Sequence, residues 1–286
     1  MKILLIMINL IILHLFLLGE DKVISGGTSF LMEKVPIASL TPYRLSFSAK
    51  VDGPGNFEDS PQLEYLFMNA DKAKMGRKMA GWKIIFYDSL GREIKLHYAS
   101  FWKCVFSKKI KLYNDEFYTP DGAAFLSVEF APGEIEDKVC VSSPVLKKID
   151  TSMILNLNPE FKLGPYNYSG IGQLSGGKMM VTEEGVTKLD LRNGWAVGNH
   201  IPVRPGENLQ ISVSATGFKK MGAVLKFNYY NTEGNEISRD RANLRIPQGE
   251  EKVLSYDFIV PDNANSIKII LGGAVYNWIK LERILK

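Results

Sequence analysis

The chain has 286 residues, 45% of them hydrophobic and 23% charged, which is ordinary for a globular protein. Residues 20–148 carry 18 Lys/Arg against 17 Asp/Glu, and residues 149–286 carry 16 against 14. Neither half has the basic excess of a nucleic-acid binder, so a nucleic-acid partner is not expected.

The N-terminus stands apart. Lys2 precedes an apolar run from Ile3 to Leu18 that only Asn9 and His14 interrupt. This is short for a transmembrane helix, which needs about 20 apolar residues, and suits the core of an export signal. Residues 1–19 are therefore predicted to be a signal peptide, although Leu17-Leu18-Gly19 is not a clean small-x-small cleavage pattern. Export places the protein outside the cytoplasm: secreted, periplasmic or at the cell surface. Membrane contact is expected only if the segment stays uncleaved. Cys104 and Cys140 are then either a disulfide pair or two small buried apolar residues.

Beyond the signal, the chain repeats itself. Val35-Pro36-Ile37 matches Ile201-Pro202-Val203, and Tyr43 to Ala49 matches Leu209 to Ala215 at the same offset. Phe86 to Ile94 then matches Tyr229 to Ile237. Pro120-Asp121 with Ala124 to Phe130 matches Pro261-Asp262 with Asn265 to Leu271, and Asp137 to Val141 matches Asn277 to Leu281. A conserved order at a drifting offset is the mark of one structural unit used twice. The expected modules are residues 20–148 and 149–286. The first contains an insertion, residues 50–81, that opens with the turn signal Gly53-Pro54-Gly55. Asn69 to Ala80 within it reads as either a short basic helix or a solvated loop. Asn156 to Met179 in the second module reads as an opening strand and loop with no counterpart in the first. The first module is thus expected to be truncated at its start, leaving a sheet edge open or covered from elsewhere.

The matched segments alternate. Tyr43, Leu45, Phe47 and Ala49 form one apolar face, as do Leu209, Ile211, Val213 and Ala215, which is the pattern of half-buried strands. Asp88 to Gly91 and Asn231 to Gly234 are hairpin turns, with Asx and Gly at the ends. Short strands spaced by turn residues predict an all-β fold of two tandem antiparallel sandwich modules after the signal segment.

The second module continues this pattern through Asn156 to Phe161, Ile201 to Glu207, Tyr229 to Gly234, Val260-Pro261-Asp262 and Trp278 to Leu281. In these segments it resembles the carbohydrate-binding modules of the galactose-binding-like jelly-roll group. The first module shares the central and later signatures and departs at its start. The resemblance implies a jelly roll, and it raises a structural calcium as an option, because members often hold one. No motif of the sequence specifies calcium ligands.

Chemistry beyond binding has little support. His97 and His200 are the only histidines after the signal, and no phosphate loop or nucleophile elbow is present. The adjacent acids Glu58/Asp59, Glu183/Glu184 and Glu250/Glu251 read as solvated turn residues. Sugar binding asks instead for aromatics off the core face, with amides and charges beside them. Leu225, Phe227 and Tyr229 share one face of a strand, leaving Lys226, Asn228 and Tyr230 on the other as a platform. Tyr87 is the first module's aromatic at the corresponding place. Trp278 points outward from the last strand, and Trp195 is expected in a loop at a binding edge. Each aromatic could equally pack against a neighbouring loop. The sequence thus leads to an exported, non-catalytic carbohydrate-binding protein, with a protein-binding β-sandwich scaffold as the alternative.

Overall fold

The computed structural model describes residues 22–24, 29–52, 80–95, 102–105, 107–132, 138–151, 154–162, 171–218, 223–244 and 246–284. The signal segment 1–19 and nearly all of the insertion, with its candidate basic helix, lie outside the described residues. Among the described residues the regular structure is strand throughout, and every pair of named strands is antiparallel.

The first sandwich contains β1 (Lys22–Ile24), β2 (Phe30–Pro36), β3 (Pro42–Asp52), β4 (Gly81–Tyr87), β5 (Glu93–Ile94), β6 (Lys103–Cys104), β7 (Lys111–Tyr118), β8 (Phe125–Ala131) and β9 (Lys138–Lys148). One sheet runs β1-β9-β3-β7. The other runs β2-β8-β4-β5, with β6 also against β4. The second sandwich contains β10 (Ile171–Ser175), β11 (Lys178–Val181), β12 (Thr187–Asp190), β13 (Trp195–Gly198), β14 (Ile201–Pro202), β15 (Asn208–Gly217), β16 (Ala223–Tyr230), β17 (Glu236–Leu244), β18 (Glu251–Ile259), β19 (Ser266–Gly272) and β20 (Ala274–Arg283). Its sheets run β11-β12-β20-β15-β18 and β10-β13-β19-β16-β17, with β14 also against β19.

Alternation explains which face each strand buries. Leu45, Phe47, Ala49 and Val51 of β3 lie in one core, and Leu209, Ile211, Val213 and Ala215 of β15 lie in the other. Each large apolar side chain taken out of water contributes about 1.5–3 kcal/mol, so the two stripes drive each pair of sheets together. Tyr118 crosses between the two bodies. It sits at the end of β7 but is buried in the second core, and its hydroxyl donates to the Leu155 carbonyl at 2.7 Å.

The repeat is written in backbone hydrogen bonds. The central strand orders β9-β3-β7 and β20-β15-β18 correspond, as do β2-β8-β4-β5 and β14-β19-β16-β17. In the hairpin after β4, Asp88 Oδ1 accepts from Leu90 N and Arg92 N, both at 2.9 Å. After β16, Asn231 Oδ1 accepts from Glu233 N at 3.0 Å and Asn235 N at 2.9 Å. Gly91 and Gly234 close these turns at φ +77° and +80°, a region that a Cβ disfavours. Ala124 N and Asn265 N reach back to the Tyr87 and Tyr230 carbonyls, each at 2.8 Å.

One part of the sequence alignment needs correction. Ala49 pairs with Val141, and Ala215 pairs with Tyr276. Leu45 pairs with Leu146, and Ile211 with Leu281. Val141 therefore corresponds to Tyr276 and not to Leu281. The matched pentapeptides were similar in character, but the ladder, which sets register, places them five residues apart.

Of the two alternatives for the cysteines, the bridge is not formed: Cys104 and Cys140 are not disulfide-bonded. Cys104 is buried in the first core, whereas Cys140 alternates with the core residues Val139 and Val141 and so points out of the sheet. The body of a sheet separates the two thiols, so the approach a bridge needs is not met.

The edge beside the last strand is treated differently in each sandwich. In the first, β1 pairs with Val139 to Val141 of β9. In the second, β12 pairs with Tyr276 and Val275, while Ile154 bridges to Glu282. Asn156 then imitates a strand with its side chain, accepting from Leu281 N at 2.7 Å and donating to the Ile279 carbonyl at 2.8 Å. Within the expected opening segment, Asn156 to Met179, this side-chain cap and a turn come first, and strand β10 (Ile171–Ser175) follows.

Candidate functional site

The outward face of the sheet β10-β13-β19-β16-β17 gathers most of the polar and aromatic side chains that the sequence singled out. Leu225, Phe227 and Tyr229 of β16 face the core, so Lys226, Asn228 and Tyr230 face out. Register then assigns their neighbours. Lys226 stands beside Ile270, Asn228 beside Lys268 and Arg239, and Tyr230 beside Ser266 and Glu236.

Around Tyr230 these groups are in contact. The Lys268 ammonium lies over the Tyr230 ring, 5.2 Å from its centre. The His200 ring meets it edge-on with centroids 4.6 Å apart, and His200 Nδ1 is 3.0 Å from Ser266 Oγ. Asn228 Nδ2 donates to Glu236 Oε2 at 2.9 Å, and Arg239 Nε is ion-paired to the other oxygen of that carboxylate. Burial pushes the His200 pKa from 6.5 down to about 3, with help from the nearby Lys268 charge, so its imidazole is neutral at neutral pH. Burial also raises the Tyr230 phenol and lowers the Lys268 ammonium, the latter opposed by Glu236. The phenol is thus a neutral donor and acceptor beside a cation.

Trp195 lies at the far end of the same face. It begins strand β13 and does not sit in a loop as expected; it pairs with Gly272 and is 39% exposed. Gly272 and Ser266 are six residues apart on β19, so Trp195 and Tyr230 are separated by ~20 Å of sheet. Gly272 leaves space at that end, since a Cβ there would meet the Trp195 Cβ at 3.9 Å and the Gly194 carbonyl at 3.3 Å.

Trp278 is not part of this face. It projects from β20 on the opposite sheet, opposite Ser214, with the Lys280 ammonium 5.1 Å over its ring. The polar pairs Ser212–Ser255 and Ser214–Glu251 lie alongside. Tyr87 occupies the place in the first sandwich that Tyr230 holds in the second. Its ring also has a cation above it, Lys34 Nζ at 5.4 Å, but this lysine comes from the bulge in β2 and adopts φ +38°. Ser127 stands where the second sandwich has Lys268, and Ile85 where it has Asn228.

Sequence reasoning missed Lys268, His200, Ser266 and Arg239. Lys268 was legible, because Ile267, Ile269 and Leu271 alternate as an apolar face and the residues between them must face out. His200 needed the fold: nothing near it in the chain indicates that it meets Tyr230.

The other candidate groups lie apart from this face. Glu183 and Glu184 lie in an exposed turn, where the Thr182 hydroxyl holds the Glu184 carboxyl below its usual range. Glu250 pairs with Lys252 at 3.2 Å, and Glu251 accepts from Ser214. His97, Glu58 and Asp59 lie outside the described residues. Among the described residues no three His, Cys, Asp or Glu side chains are grouped to hold a metal ion. A cavity of about 40 Å³, lined by Tyr118, Phe161, His200 and Ile279 among others, has room for a few water molecules.

A scan against protein-family models finds no match, and a search of curated proteins finds none either. Solved structures do resemble the chain. The N-terminal CBM22-1-CBM22-2 tandem domain of Paenibacillus barcinonensis Xyn10C covers 94% of this chain and 96% of its own, at 10% identity and a TM-score of 0.31. The tandem CBM51 modules of Sp3GH98, a family 98 glycoside hydrolase of Streptococcus pneumoniae, cover 93% and 83%, at 8% identity and a TM-score of 0.23. A carbohydrate-binding module of Cellvibrio mixtus lichenase 5A, solved with cellotriose, covers 46% of this chain and all of its own, at 13% identity and a TM-score of 0.33. With TM-scores this low, the functional reading has to come from the chain's own residues.

Proposed function

We propose that the protein is an exported, non-catalytic carbohydrate-binding protein that holds a poly- or oligosaccharide on the outward face of β13, β19 and β16. The observation that carries this is one sheet face with an exposed indole at one end and, at the other, a phenol ringed by an amide, a hydroxyl and a cation. Sugars present alternating apolar C–H faces and hydroxyl edges. Trp195 suits the first, and Tyr230, Asn228, Ser266 and Lys226 suit the second. The neutral His200 keeps the Tyr230 ring in place without adding charge. Trp278 and Tyr87 would serve as separate contacts on other faces.

Affinity electrophoresis through gels containing a panel of polysaccharides tests this. Tyr230→Ala and Trp195→Ala should each weaken binding about tenfold, while Trp278→Ala should change it by less than about twofold. Loss in Trp278→Ala alone would move the site to the opposite sheet. A folded protein that no polysaccharide retards would support the alternative, a scaffold that binds a surface protein.

A further inference from the structure

The same face carries an imbalance of charge. Among the described residues, Lys226, Lys268 and Arg239 point out of it beside a single carboxylate, Glu236, which Arg239 already engages. Neither Lys226 nor Lys268 has a carboxylate within ion-pair distance among the described residues. The corresponding face of the first sandwich is balanced, with Lys83 and Lys34 offset by Glu129 and Glu93.

Lys268 matters most. It is half-buried between Tyr230 and its strand neighbours, and burial disfavours its charge. A partly desolvated ammonium is costly, and the Tyr230 ring and the Glu236 carboxylate, which lies beyond ion-pair distance, offset only part of that cost. A neutral sugar would cover it further and leave it unmatched. An anionic group would both pair with it and accept from the Tyr230 and Ser266 hydroxyls around it.

We infer that this face selects acidic glycans, polysaccharides whose sugars carry carboxylate or sulfate groups, with Lys268 and Lys226 receiving the anion. The inference rests on the carbohydrate-binding reading above and narrows it.

The full chain is run at about 0.15 M ionic strength, where exposed charges are largely screened. The gels contain polygalacturonate, dextran sulfate, neutral dextran or neutral xylan. Retardation by at least one acidic polymer should exceed that by either neutral one by about tenfold or more. Whichever acidic polymer is preferred names the anion. Lys268→Gln should remove about tenfold of that affinity and Lys226→Gln about threefold. Lys109→Gln, which deletes the same charge from an exposed site on the first sandwich, should have no effect.

Equal retardation by neutral and acidic polymers would overturn the preference for acid and leave carbohydrate binding standing. Equal losses in Lys268→Gln and Lys109→Gln would reduce the effect to bulk charge and overturn it. Equally tight binding of a single-stranded oligodeoxynucleotide would also overturn it. Binding to none of the polymers would sink both readings.

Discussion

The two sandwiches share a hydrogen-bond frame and differ in what fills it. In the first core, Phe47, Trp82, Tyr113 and Phe130 occupy the positions that pairing assigns to Val213, Leu225, Leu254 and Leu271 in the second. The aromatic set is tightly interlocked, with Phe47 4.9 Å from both Trp82 and Phe130 in edge-on geometry. An indole brings an N–H into the core, and that N–H needs an acceptor. Asp115 supplies it at 2.9 Å, and Lys103 answers the charge of Asp115 with a close ion pair. Asp115 is the counterpart of Tyr256, which stacks on Phe227 and donates to Asp240 at the sheet edge, at 3.2 Å. One large side chain has thus drawn a charged pair in behind it, whereas the buried Tyr276 phenol of the second core is met by the Gly272 and Val224 backbone carbonyls. The outer faces differ the other way: the second carries the polar, cationic surface and the first a balanced, more apolar one. Backbone pairing constrains the frame, and side chains on either face are free to diverge as long as each face remains satisfied.

The largest effect should come from breaking the polar chain of the first core. Asp115→Ala removes the carboxylate that the Trp82 N–H and Lys103 share, and should cost about 3–5 kcal/mol of unfolding free energy in urea titration. If the comparison is right, Asp115→Leu with Lys103→Met, which makes the site apolar as in the second core, should cost less than Asp115→Ala alone. A smaller effect is expected where the second sandwich has a device the first lacks. Asn156→Ala removes two bonds from the edge of β20 and should cost about 2 kcal/mol, at roughly 1 kcal/mol per bond. An unchanged denaturation midpoint would mean that the cap is incidental. A further test is pH. His200 titrates near 6.5 when unfolded and near 3 when folded, so between these values the unfolded chain binds the extra proton. Stability should be fully present above pH 6.5 and fall as pH drops below it, by at most about 1.4 kcal/mol per unit. His200→Phe should flatten that slope, and an identical slope in the variant would place the titration elsewhere.

The fold was legible to a large degree, for a physical reason. Strand faces alternate with a period of two, so Leu45/Phe47/Ala49 and Leu209/Ile211/Val213 announce both the strands and their inward sides. The Asx–Gly turns carry their conformation in a few adjacent residues, and Asp88 and Asn231 bond their own downstream backbone as their residue types predict. The site was half legible. Lys226, Asn228 and Tyr230 follow from alternation along one strand, while the partners that complete the site come from β13, β17 and β19 and from the residues before β14.

What the chain determined by itself is what short-range chemistry can encode: pleat, inward face, turn type, and the use of one unit twice. Tertiary structure decided everything that depends on pairing across the sheet. It moved the last repeated strand by five residues, kept Cys104 and Cys140 on different sides of a sheet, put Trp278 on the face opposite Tyr230, and brought His200 and Lys268 to the Tyr230 ring. Interstrand register is a contact between residues far apart in sequence, and no local pattern carries it.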